Sequence, residues 1–157
     1  MRRSLFALAV AAGSLLAQQK EPQFKDYAET VSAKVKHAPL KLRTPGQLRF
    51  KKVIREWVDR GVNFAGSYTL AEWGCGTGCV RIAVINPRTG DVYDGPFGQL
   101  PYAHFSLDPK IKDDSTGIFY HPDSRLFIAR GCPNGKDCGA YFYEWTGKEF
   151  KLLSRSK

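Results

Sequence analysis

Much of the usual vocabulary of catalysis is missing from this chain. Gly66-Ser67 is not followed by the residues of a Gly-x-Ser-x-Gly elbow, so a serine nucleophile of that type is excluded. There is no His-Glu-x-x-His, no glycine-rich phosphate loop and no acidic calcium loop, which removes the commonest metalloprotease, nucleotide and calcium signatures. A Cys-x-x-Cys pair is also absent; Cys75 and Cys79 are one residue further apart than in thioredoxin-like sites. No internal repeat of propeller length occurs. Beyond residue 17 no apolar run approaches the ~20 residues of a membrane-spanning helix.

What is present begins with a leader. Arg2 and Arg3 precede an apolar run, Leu5 to Leu16, and Ala17 offers a small residue at a cleavage point. Residues 1–17 therefore read as a secretory signal peptide. No cysteine follows the run, which argues against a lipid anchor. The expected location is periplasmic or secreted. Residues 18–45 read as an N-terminal extended segment and loop, and 46–157 as one globular domain. Removing Arg2 and Arg3 from the 24 Lys+Arg leaves a formal charge of +7 against 15 Asp+Glu. A basic exported chain favours encounter with anionic surfaces. Export argues against nucleic acid as the partner.

The chain is organised around residues 63–79, from Asn63 to Cys79. Before this stretch, Phe50, Val53, Ile54, Trp57 and Val58 follow the i, i+3, i+4, i+7, i+8 pattern of one apolar helical stripe. Thr44 can cap that helix, Pro45 suits its first position and Gly61 its end. After Phe64 the period changes to two, which predicts strands. These cover Tyr68–Trp73, Val80–Ile85, Val92–Tyr93, Gly117–Tyr120, Arg125–Ala129, Ala140–Trp145 and Glu149–Leu153. The segment Phe24–Lys36 fits helix and strand alike, and the reading leans to extended. The fold class expected is α+β: one amphipathic helix packed on an antiparallel, meandering β-sheet, stapled by disulfides.

Four cysteines allow three pairings. Local pairing gives Cys75–Cys79 and Cys132–Cys138. Chain entropy favours the crossed bridges, at ~4 kcal/mol against roughly 2 for each short loop. Nearness in the chain and the turn-forming inserts favour local pairing, which is the expectation; the crossed pairings stay open. Zinc on four thiolates and a cysteine nucleophile served by His104 or His121 are weaker alternatives, because an oxidising compartment favours disulfides. His121, Asp123 and Ser124 lie within one turn, whereas a triad draws on separated positions. Glu72 beside Trp73 reads as a solvent-facing strand residue.

Asn63-Phe64-Ala65-Gly66-x-Tyr68, followed by Trp73-Gly74-Cys75-Gly76-Thr77-Gly78-Cys79, resembles a family of small uncharacterised exported bacterial proteins. The likeness continues through Thr89-Gly90-Asp91-Val92-Tyr93, Asp123-Ser124-Arg125-Leu126 and Tyr141-x-Tyr143-x-Trp145-x-Gly147. It implies export, a compact β-rich domain and a Cys75–Cys79 bridge that stands without a second pair. It implies no activity and carries over no catalytic residue.

The function expected is a non-catalytic, exported binding or envelope-associated domain, needing no metal or cofactor. Its partner would be an anionic envelope polymer or another exported protein. Tyr68, Trp73, Tyr102, His104 and Arg125 are the candidate ligand contacts. The alternative is a thiol–disulfide oxidoreductase using Cys75 and Cys79.

Overall fold

Thr44 opens the helical segment as its sequence predicts. Its Oγ1 accepts from the Gln47 amide at 3.2 Å, while Gln47 Oε1 accepts from the Thr44 amide at 3.4 Å, a reciprocal capping box. In the computed structural model, which describes residues 20–32, 36–101 and 117–156, the segment forms two pieces. They are α1, Pro45–Arg49, and α2, Lys51–Arg60. The joint is Phe50, at φ −102° and ψ 18°. The expected single helix is thus broken once. The break lets Phe50 meet Trp73, ring centroids 5.0 Å apart, while Ile54 and Val58 stay buried on the sheet below. The leader expected over residues 1–17 lies outside the described residues.

Among the described residues the strands form two antiparallel sheets of four, where one meandering sheet was expected. The first contains β1 (Thr69–Gly76), β2 (Cys79–Ile85), β3 (Val92–Asp94) and the two-residue β4 (Leu100–Pro101), with β3 and β4 both pairing β2. The second is a meander of β5 (Gly117–Tyr120), β6 (Leu126–Gly131), β7 (Gly139–Trp145) and β8 (Phe150–Ser156).

The layers explain the sequence pattern. Ala71, Ala83, Ile85 and Val92 on one face of the first sheet pack with Ile54 and Val58 of α2. Leu70, Ile82 and Val84 on the other face pack with Phe127, Ala129, Tyr141, Tyr143 and Trp145 of the second sheet. Strand β2 is covered on both sides, so its apolar run is continuous. The far face of the second sheet, Leu126, Ile128 and Phe142, is covered by Phe24, Tyr27 and Leu153. Phe24–Tyr27 is a 3₁₀ turn rather than an extended segment. It is followed by a single bridge from Ala28 to Ser124.

Residues 63–68 knot these layers together. Asn63 grips Leu70 twice: its Oδ1 accepts from the Leu70 amide at 2.6 Å and its Nδ2 donates to the Leu70 carbonyl at 2.9 Å. Ala65 and Gly66 both take positive φ, 47° and 74°. A Cβ on Gly66 would come 2.7 Å from the Thr30 carbonyl oxygen. The Gly66 amide donates to Pro122 and its carbonyl accepts from Ser32. The Asn63–Tyr68 stretch is therefore a structural junction, with Asn63, Gly66 and Tyr68 already hydrogen-bonded.

Candidate functional site

Both disulfides are local. Cys75–Cys79 closes the tip of the β1–β2 hairpin and Cys132–Cys138 closes the loop between β6 and β7. Strand β4 touches both: Cys79 pairs with Pro101, and the Cys132 amide donates to the Pro101 carbonyl at 2.7 Å. Bridges at these positions suit an oxidising compartment outside the cytoplasm. Among the described residues no helix is long and apolar enough to cross a membrane, and no His, Cys, Asp and Glu side chains gather as a metal site.

A groove of about 480 Å³ opens between these stapled turns and the start of the helix. Phe50, Trp73 and Phe97 supply its aromatic surfaces, Arg81, Asp94 and Asn134 its polar ones. Trp73 and Arg81 are direct partners across the β1–β2 ladder, so they share a face. The indole Nε1–H of Trp73 and the Nε–H of Arg81 are both shielded from solvent and have no acceptor among the described residues. An unpaired buried donor costs about 1–3 kcal/mol; the Nε atoms of Arg125 and Arg130 and Nε1 of Trp145, away from the groove, are shielded in the same way. Arg81 also makes no ion pair with a described carboxylate. The polar groups opposite are held in place. Gln47 Nε2 donates to Asp94 Oδ1 at 3.0 Å. Asn134 Oδ1 accepts from the amides of Gly98 at 3.0 Å and Gln99 at 3.4 Å.

The structure separates the residues expected to bind ligand. Trp73 lies in the groove. Tyr68 instead belongs to the core, its hydroxyl donating to the Gly147 carbonyl at 3.3 Å and its ring packed edge-on against Trp145. Arg125 spans the N-terminal segment and the second sheet. Its Nε lies 3.0 Å from Glu29 Oε1 and its Nη1 3.4 Å from Glu144 Oε1. Tyr102 and His104 lie outside the described residues. Ser124 is buried, its hydroxyl donating to the Phe24 carbonyl at 2.8 Å, as a turn-bracing residue should. Sequence reasoning missed Phe50, Arg81, Asp94 and Asn134 as a set. Only the Trp73–Arg81 pairing could have been found, by counting back from the glycine turn.

Glu72 is half-buried rather than solvent-facing. Burial raises its carboxyl above the ordinary value, and Arg60 pulls it partly back. Burial, helped by the Glu72 charge, pushes the Tyr120 hydroxyl up to about 12. The folded protein thus holds the Glu72 proton more tightly than the unfolded chain. The stability this contributes is fully present below the ordinary carboxylate value and is lost as pH rises through the raised one. Glu72→Gln is expected to melt above the native protein at pH 7.5, with the gap closing at pH 4. Thermal unfolding at both pH values checks this; an equal gap at both would refute it.

Comparison of the chain with family models, curated proteins and solved structures finds no match.

Proposed function

We propose that the protein is an exported, non-catalytic binding domain whose groove takes an anionic envelope polymer. One observation carries this reading. Cross-strand partners Trp73 and Arg81 line a groove with aromatic walls, and Arg81 makes no ion pair with a described carboxylate. An arginine with no ion-pair partner among the described residues suits an anion. A concave site that sets a few fixed polar groups among aromatic side chains has the form of a ligand pocket. The leader, the basic balance and the four bridged cysteines support export to the periplasm or beyond. The redox alternative has less support. Cys75 and Cys79 sit in a β-hairpin, without the helix N-terminus that lowers a thiol pKa.

Co-sedimentation of the exported chain with anionic and neutral envelope polymers, at low and high salt, tests the proposal. Binding to an anionic polymer should weaken as salt rises. Arg81→Gln should reduce it about 10–100-fold, the effect of losing a charge-assisted hydrogen bond worth about 1.5–3 kcal/mol. Absence of binding to every anionic polymer at low salt would sink the reading.

A further inference from the structure

We infer, resting on that reading of the groove, that the unit it selects is a sugar ring bearing one carboxylate, as in a uronic acid polymer. Phe50 and Trp73 stand 5.0 Å apart with ring planes 32° from parallel, a tilted aromatic wall with Phe97 nearby. Aromatic faces are apolar and carry the negative side of the ring quadrupole. They therefore suit the C–H face of a saturated ring. Such a wall has nothing to offer a bare inorganic anion.

The polar groups then divide into two kinds. Arg81 makes no ion pair with a described carboxylate, and the two terminal nitrogens of its guanidinium can match a carboxylate in two parallel hydrogen bonds. Asp94 is the opposite case. One of its oxygens is fixed by Gln47 Nε2 at 3.0 Å, which leaves the other as an acceptor. It repels a second negative charge and accepts readily from a hydroxyl. Two backbone amides occupy Asn134 Oδ1, so the orientation of that amide is set and its NH₂ is left to donate. The groove thus presents a cation for one acid group, an acceptor and a donor for hydroxyls, and an apolar wall for a ring face. A phosphate-rich membrane surface meets Asp94 as a repulsive charge. A neutral sugar leaves Arg81 unpaired. A ring with hydroxyls and a single carboxylate uses every group.

Gly95 lies against Ile82 so tightly that a Cβ there would meet Ile82 Cγ1 at 2.5 Å, so packing on Ile82 requires glycine at this position.

The test uses the intact exported chain and three probes: tetragalacturonate, maltotetraose and inorganic phosphate. Tryptophan fluorescence and calorimetry follow each titration. Tetragalacturonate is expected to bind at least about tenfold more tightly than maltotetraose, with phosphate a poor competitor. Arg81→Gln should make the two sugars equal while the melting temperature stays near native. Asp94→Asn should weaken tetragalacturonate and strengthen phosphate, a reversal that a merely structural Asp94 would not produce. Equal binding of the acidic and neutral sugars would overturn the inferred selectivity. So would phosphate displacing tetragalacturonate at equal concentration. Either result leaves the proposed binding role intact if an anionic polymer still co-sediments and Arg81→Gln releases it. Failure of tetragalacturonate together with failure of every anionic polymer would overturn both.

Discussion

Phe64→Ala is expected to lower the unfolding free energy by about 3–5 kcal/mol, the range for removing a buried aromatic ring. That corresponds to a fall of about 10 °C or more in melting temperature. Phe64 is fully buried, and its ring lies within 6.1–6.5 Å of Tyr120, Phe127, Trp145 and Phe150. These neighbours come from β5, β6, β7 and β8, so one ring from the loop before β1 touches every strand of the second sheet. Collapse around the lost ring is hindered on both sides of it in sequence. Asn63 is locked to Leu70, and Gly66 is wedged against Thr30 and bonded to Pro122. The site therefore keeps most of its cavity, and the cost falls at the upper part of the range. Phe64→Leu, which retains most of the volume, should cost clearly less. Urea unfolding of both variants measures the difference. A loss under about 1 kcal/mol for Phe64→Ala would show that the junction relaxes, and that residues 63–68 do not hold the layers.

How much of this was legible depends on how local each signal is. The helical stripe through Phe50, Ile54 and Val58 and the period-two strands were readable because each is written in a few adjacent residues. The division into two sheets was not, because nothing in β1 or β6 says which faces will meet. The interruption at Phe50 was hidden for the same reason. It is set by packing on Trp73, a contact across more than one element. Strand β4 is two residues long and ends in proline, too short to carry a period. Among candidate contacts, exposed-looking aromatics and cations were weighed alike. Trp73 lies in the groove, whereas Tyr68 and Arg125 already have internal partners. The groove draws on the helix joint, β1, β2, the stretch after β3 and the Cys132–Cys138 loop, so no window of sequence contains it.

Opening both disulfides is expected to cost about 4 kcal/mol, roughly 2 for each short loop in the chain-entropy model. The effect on the groove should be less additive than the effect on stability. Cys75–Cys79 anchors the hairpin tip next to Trp73 and Arg81, where the ladder already shifts register between Gly74 and Gly76. Cys132–Cys138 anchors the loop that carries Asn134. The two rims share β4, which pairs Cys79 through Pro101 and accepts the Cys132 amide on the same residue. Residues that share a partner couple, whereas distant ones add. Paired Cys75→Ser and Cys79→Ser substitutions should therefore weaken polymer binding nearly as much as opening both bridges, although they remove only about half of the stability. Paired Cys132→Ser and Cys138→Ser substitutions should do the same from the other rim. Urea midpoints and polymer co-sedimentation on the three variants separate the quantities. Full binding after Cys75 and Cys79 are opened, with stability unchanged, would mean that this bridge is not scaffold. Its place at an exposed glycine turn would then make thiol exchange the better account of the motif.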